Sequence, residues 1–340
     1  MTSYNNWPAR SPSSLNACTR LCVASTAWTS LRRLSVVLAC ALSVLACSCS
    51  QRPTAFSFRF AALVDGKEVQ CTDDLQGFGP KHDLHVGLND LRFYISNVRF
   101  KDSSGNDVDV TLDTNEFQYA SPEGSVSLID LAGNTEGTCA SSSVANSEGT
   151  ARTHTAITGT TSTRDVSSVS FDVGVPQAVM KKNIATNTPE GSPSPLNEMY
   201  WNWNSGYRHF IWNFAVRDVV GATGEGHVHI GSIDCAPGGE AKALGDRDAC
   251  TFVNTPAVSL ASFDLTANIV GVDLRKVIDG QDFVTPIYDP KTFEVIGQGL
   301  GVECHSFPTQ DDCPPVFGSF GLDMPTGKAN ATSDSVFFKK

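Results

Sequence analysis

Apolar side chains recur at every second position along most of this chain, and that period confines it to β structure more firmly than any other feature. Phe56, Phe58 and Phe60 alternate with Ser57 and Arg59. Leu91, Phe93 and Ile95 do the same, and the phase then slips to Val98 and Phe100, as one inserted bulge residue would cause. Further stripes are Val169, Phe171, Val173 and Val175, then Phe210, Trp212, Phe214 and Val216, and later Val270, Val272 and Leu274. Gly, Asn, Asp, Ser and Pro clusters such as 103–107 and 193–195 punctuate the runs. Helical periodicity is almost absent. Short alternating strands with such punctuation predict an antiparallel sandwich or barrel. We expect an all-β, Greek-key-like β-sandwich with long loop insertions at 133–165 and 177–198, where Ser, Thr, Gly and Asn concentrate.

The N-terminus reads differently. Arg32 and Arg33 precede an apolar run over 34–46 that ends in Val44-Leu45-Ala46-Cys47. A basic pair, about a dozen apolar residues and a small-residue junction form an export-signal pattern. The run is short of the roughly 20 apolar residues a permanent membrane span needs. Cys47, directly after a small residue, resembles the lipid-bearing cysteine of a bacterial lipobox; Cys40 and Cys49 are weaker alternatives. The expected organisation is a leader over 1–46, a lipobox cysteine and short linker over 47–54, and one β-sandwich domain over 55–340. The polar lead before Arg32 leaves the true start codon open.

Of the eleven cysteines, six lie in the body: Cys71, Cys139, Cys235, Cys250, Cys304 and Cys313. An even number of dispersed cysteines behind an export signal reads as three disulfides, with connectivity open. Local loop closure makes Cys235–Cys250 and Cys304–Cys313 the natural pairs and leaves Cys71–Cys139. No CxxC occurs among them, which argues against a zinc ribbon or a thioredoxin-type site. The chain has 25 Lys and Arg against 36 Asp and Glu. Four of the Arg and none of the acidic residues fall in 1–46, so the body carries 21 basic and 36 acidic residues, a net charge of −15. So acidic a body repels nucleic acid and anionic membrane. No GxSxG, Walker loop, HExxH or strand-to-helix GxGxxG is present, and a binding protein is expected rather than an enzyme.

Two segments concentrate candidate chemistry. Ser194–Tyr207 places Met199, Tyr200, Trp201, Trp203 and Tyr207 close together, with two of the body's three tryptophans two residues apart. His227-Val228-His229 puts two imidazoles on one face of a strand, a ligand pair for a first-row transition metal. Each has a plainer reading: Trp-x-Trp as core or rim packing, and the histidines as exposed or hydrogen-bonded side chains. Trp212 belongs to a core stripe. His82 and His85, just ahead of a strand, offer a third ligand, whereas His154, His209 and His305 show no partner in the sequence.

With these segments in hand, the chain resembles the MbnP-like family, the metallo-mystery pair system four-Cys motif proteins. The matching pieces include Phe58-Arg59-Phe60-Ala61-Ala62, Cys71, Asp90-Leu91-Arg92-Phe93-Tyr94-Ile95-Ser96-Asn97-Val98 and Leu128-Ile129-Asp130-Leu131. Cys139, Phe171-Asp172-Val173-Gly174-Val175-Pro176, Ser194-Pro195-Leu196-Asn197, Met199-Tyr200-Trp201-Asn202-Trp203 and Ser205-Gly206-Tyr207 continue the match. His229-Ile230-Gly231-Ser232, Cys235 and Cys250 follow, with Gly321-Leu322 after Cys313.

The resemblance implies an exported bacterial β-sandwich that binds copper. It also implies a di-haem c-type MbnH-like partner of the peroxidase class, which oxidises a tryptophan to kynurenine. On that reading Trp201 or Trp203 is the modified residue, and His229 is the first ligand. His85 or His227 is the second, with Met199 nearby. Relatives carry an Asn-His pair soon after Gly-Val-Pro. Here that region reads Gln177-Ala178-Val179-Met180-Lys181-Lys182-Asn183, which leaves the position unfilled unless His85, His227 or Met180 stands in. The competing expectation is a cell-surface module that binds carbohydrate or protein on an aromatic platform of Trp201, Trp203 and Tyr207, without metal.

Overall fold

The computed structural model describes residues 53–132, 153–186, 192–202, 206–235, 250–307, 309–330 and 335–340. The leader over 1–46, Cys47, Cys139 and Trp203 lie outside the described residues, as does most of the expected insertion at 133–165.

The strands that matter most are β1 (Thr54–Val64), β2 (Asp90–Lys101), β3 (Gly124–Asp130), β4 (Ala156–Thr161) and β5 (Ser168–Val173). Then come β6 (Tyr200–Asn202), β7 (Gly206–Arg217), β8 (Thr223–Gly231), β9 (Ala257–Ala261), β10 (Val270–Asp273), β11 (Val284–Tyr288), β12 (Val295–Cys304) and β13 (Phe337–Lys339). A larger sheet runs in the order β9-β5-β2-β7-β8-β12-β11, and a smaller one carries β13-β10-β1-β4. The two face each other as a sandwich, as the alternation predicted. Pairing is mostly antiparallel, but β1 runs parallel to β10 and β8 parallel to β12. These exceptions join strands far apart in sequence, which leaves the chain length that a parallel crossover requires.

The sandwich core is aromatic. Phe60 of β1 lies 5.7 Å from Phe93 of β2 and 5.7 Å from Phe171 of β5, ring centre to ring centre, so the smaller sheet grips the larger. Phe93 also meets Phe210 at 5.7 Å and Phe337 at 5.5 Å and is fully buried. The phase slip seen in the sequence is a bulge: three steps on β2 from Ser96 to Arg99 oppose two on β5 from Asp172 to Ser170, and Asn97 takes a left-handed φ of 51°. The side chains of β2 that point away from this core, Asp90, Arg92, Tyr94 and Ser96, are buried as well.

That second burial comes from a layer on the outer face of the larger sheet. It contains helix α1 (Gln177–Thr186) and the segment leading into β6. Val179, Met180, Leu196 and Met199 form a buried cluster with Tyr94, Tyr207 and Ile211. The helix corrects the expected loop at 177–198. It starts just after Pro176, and among its described side chains Val179 and Met180, on one turn, pack into the outer cluster. Two of the three expected disulfides are described, Cys235–Cys250 and Cys304–Cys313. Cys71 is disulfide-bonded as well, but Cys139 lies outside the described residues, so the expected pair Cys71–Cys139 is not placed.

Because Phe93 joins both sheets, Phe93→Ala is expected to lower stability by about 3–5 kcal/mol. In urea unfolding this appears as a lower midpoint at unchanged slope. A loss under about 1 kcal/mol would mean that the aromatic contacts do not hold the sheets together.

Candidate metal centre

Strand register assembles the site. In a sheet, residues directly opposite on neighbouring strands share a face. Asp90 of β2 pairs with Asn213 of β7, Asn213 with His227 of β8, and His227 with Glu303 of β12. One polar row therefore crosses four strands on the outer face. The next row holds Arg92, Ile211 and His229, and His305 follows two positions after Glu303. The intervening Trp212, Val228 and Cys304 point into the sandwich core.

Hydrogen bonds link these polar side chains to one another. His227 Nδ1 donates to Glu303 Oε1 at 2.8 Å, and His305 Nε2 donates to Glu303 Oε2 at 2.7 Å. His229 Nε2 donates to Asn213 Oδ1 at 2.7 Å. The other nitrogen of His229, Nδ1, faces Nδ1 of His305 at 2.9 Å. The remaining nitrogen of His227, Nε2, is buried with no hydrogen-bond partner among the described residues. One ligand atom from each of His227, Glu303 and His305 lies within 4.8 Å of the others, the spacing of donors that hold one ion. Burial, reinforced by His305 and nearby cations, holds His229 neutral by pushing its pKa well below 6.5. Burial raises the Glu303 carboxyl, but its hydrogen bonds from His227 and His305 outweigh that and bring it down to about 2.

Trp201 edges this cluster. Its ring centre is 6.4 Å from that of His229, 6.4 Å from His305 and 6.0 Å from Phe307. The segment bearing it is fastened to the sheet. Tyr94 Oη donates to the Pro195 carbonyl at 2.7 Å and accepts from the Met199 amide at 3.1 Å. Arg92 grips Asp90 through two 2.8 Å bonds and reaches Glu198 Oε2 at 3.7 Å. The His305 segment is tied down by Ser306, whose hydroxyl bonds the His229 carbonyl and the Gly231 amide, each at 2.8 Å.

The structure sorts the residues singled out in the sequence. His227, His229 and Trp201 come together. His85 does not join them. It pairs with Arg217, six residues along β7 from Ile211, the neighbour of His229, or roughly 20 Å at strand rise. There it bonds Asp74 at 2.8 Å. Met199 is buried in the apolar cluster of the outer layer, and Met180 packs there with its sulfur against Cys250 and Ser232. Tyr207 is fully buried, which removes it from any exposed aromatic platform. The sequence shows no partner for His305, yet Glu303-Cys304-His305 carries the same signal as His227-Val228-His229: two ligand-type residues flanking an inward one.

A family model described as MbnP matches residues 53–292. The chain belongs to the MbnP family. It also resembles the solved structure of MbnP from Methylosinus trichosporium, with 23% identity and a TM-score of 0.62 over 85% of this chain and 98% of that one. That likeness establishes the shared fold. A comparison with curated proteins gave no match. The matched segment contains Trp201, His227 and His229, whereas Glu303 and His305 lie beyond it, so this MbnP-family chain completes its cluster with a strand outside the matched region.

The buried groups set an acid-side stability profile. His209 donates from Nδ1 to the Asn254 carbonyl, and burial pushes its pKa down to about 4. As pH falls below 6.5, the unfolded chain takes up protons that His209 and His229 refuse in the fold, so stability declines. From pH 4.5 towards 2 the unfolded chain also protonates Glu303 while the folded one does not, and a second decline follows. Urea midpoints at pH 7, 5 and 3 are expected to fall in that order, and Glu303→Gln to flatten the part below pH 4.5. Equal midpoints at all three values would refute the assigned protonation states.

Proposed function

We propose that this chain is an exported copper-binding protein of the MbnP family, a binder rather than an enzyme, whose ion is held at the cluster around His229. The observation that carries this reading is the convergence of three imidazoles and one carboxylate beside Trp201, from strands that other contacts already hold in place. Nitrogen and oxygen donors of this kind take first-row divalent ions, and copper heads the affinity order. So acidic a body also attracts cations over long range.

Export is supported by the leader pattern over 34–46 and by the disulfides, which persist in oxidising compartments. Among the described residues no helix is long and apolar enough to cross a membrane. Lipid on Cys47 would tether the domain to a membrane, in the periplasm or at the outer membrane.

A di-haem c-type MbnH-like protein is the proposed partner, with Trp201 or Trp203 as its substrate. The position of Trp201 favours it, since its ring already borders His229 and His305. Conversion to kynurenine would take dioxygen or peroxide at the haem partner as oxidant, break the indole C2–C3 bond with an oxygen added to each carbon, and lose C2 by hydrolysis as formate, leaving an aromatic amine and a ketone where indole offered only an N–H donor. Those donors would stand at the edge of the same ion.

Copper titration of wild type and His229→Ala, each produced with and without a di-haem partner, tests the site. Wild type is expected to bind one ion per chain and His229→Ala to lose that stoichiometric binding. Equal, stoichiometric binding by both proteins would remove His229 from the site. In native-host protein, the peptide holding Trp201 and Trp203 is expected to carry the mass of two added oxygens less CO.

A further inference from the structure

We propose that this chain forms a two-fold dimer through an apolar corner of the larger sheet, built from the β11–β12 ribbon and the turn between β7 and β8. The inference is independent of the copper-binding reading. The corner lies where β8 and β12 begin, and the histidine cluster lies towards their ends. Ile296 is seven residues before Glu303 on β12, or roughly 23 Å at strand rise.

Nine large apolar side chains are exposed among the described residues, and eight of them belong to this corner. The turn before β8 carries Val219 and Val220, 67% and 86% exposed, and the turn before β12 carries Phe293, 78% exposed. Because β8 and β12 run parallel as neighbours, the two turns stand side by side at one end of the sheet. Ile287, Tyr288 and Ile296 extend the patch along the ribbon. Single exposed apolar side chains are ordinary on a protein surface. Eight gathered in one place, on the order of several hundred Å², mark a surface that something covers.

Both apolar tips are held in place by the same device. Asp218 Oδ1 accepts from the amides of Val220 and Ala222 at 3.0 and 2.8 Å. Asp289 Oδ1 accepts from those of Lys291 and Thr292 at 2.7 and 3.0 Å. The Phe293 amide donates to the Asp289 carbonyl at 2.9 Å, and Phe293 takes a left-handed φ of 58°, where a bulky side chain is rarely found. A surface ordered in advance loses little conformational entropy when a partner covers it.

Three features select a second copy as the occupant. First, the edge strand β11 is guarded against an added strand. The Gly301 amide bonds the Phe283 carbonyl, so by alternation Thr285 and Ile287 bond β12 while Val284 and Pro286 turn their backbone outward. Pro286 has no N–H to offer there, which leaves side-chain contact as the way to cover the patch. Second, a lipid surface fits the charges poorly. Segments that lie in a membrane interface carry Lys and Arg around their apolar face, whereas Asp218, Asp289 and Glu294 flank this one against a single Lys291. Third, a two-fold axis sets the patch against itself, apolar on apolar, and lets Lys291 of each copy meet the acidic groups of the other. Two such patches together come to on the order of 1,000 Å², the size at which specific interfaces begin.

Sedimentation velocity on the full chain at about 1–100 μM tests this. Wild type is expected to pass from monomer to dimer over that range, and to do so more readily at high salt, which screens the repulsion between two acidic bodies. Phe293→Asp and Val220→Asp, one on each turn, should each weaken association at least about 10-fold, as loss of a central apolar anchor does. Lys101→Ala, exposed at the far end of β2, should match wild type, and circular dichroism confirms that each variant is folded. A chain that stays monomeric throughout would overturn the inference. So would a dimer that persists in both Asp variants, which places the contact elsewhere, or one that dissociates as salt rises, which makes it a contact between charges. A monomer that co-sediments with phosphatidylethanolamine vesicles, and ceases to in Phe293→Asp, would assign the patch to a lipid surface and overturn the dimer as well. None of these outcomes bears on copper binding at the His229 cluster.

Discussion

The candidate site depends on the register of β8 against its two neighbours. His227 meets Asn213 on one side and Glu303 on the other, and these pairings alone bring chemistry from three strands to one point. A slip of one residue on β8 would turn Val228 and Ile230 outward and send both histidines into the aromatic core. The register is fixed by that core: Trp212 of β7, Val228 and Ile230 of β8 and Val302 of β12 are all fully buried on the opposite face. Packing on the inner face therefore specifies which polar side chains meet on the outer one.

A buried polar row demands partners, and the structure supplies them continuously from β2 to β12. Asp90 and Arg92 are almost wholly excluded from solvent, yet they form a two-pronged pair, and Arg92 extends to Glu198. Breaking such a pair leaves a bare buried charge, a loss of roughly 3–5 kcal/mol. The same pair anchors the stretch that carries Trp201. The motif around Asp90–Tyr94 and the motif around Ser194–Trp201, separated by about a hundred residues, are thus two halves of one fastening, with Tyr94 gripping Pro195 and Met199.

This explains what could be read in advance. The sandwich, the bulge near Asn97, the pairs Cys235–Cys250 and Cys304–Cys313 and the shared face of His227 and His229 are local features, written in periods of two or in short loops. The placement of His305 beside His229 is not local: it depends on β12 lying parallel to β8 after a crossover of more than sixty residues, which no short-range pattern encodes. His85 misled for the same reason. Its strand does pair with β7, but at the far end, beside Arg217. Helix α1 escaped because its sequence Gln177–Thr186 mixes polar residues through every turn, and the adjacent Val179 and Met180 make no periodic signal.

The disulfide between Cys304 and Cys313 ties the compartment to the chemistry. Cys304 sits between Glu303 and His305, and its bond to Cys313 closes the loop that holds both. Within that loop Asp312 accepts from the Glu303 amide at 2.6 Å, and Gln310 accepts from the His305 amide at 2.7 Å. Opening the bridge would free the very hairpin whose two side chains turn the pair His227 and His229 into a cluster. A reducing cytosol removes such bridges. The proposed export and the proposed ion binding would therefore support each other: a leader would carry the protein to where Cys304–Cys313 can persist, and that bond helps hold Glu303 and His305 beside β8.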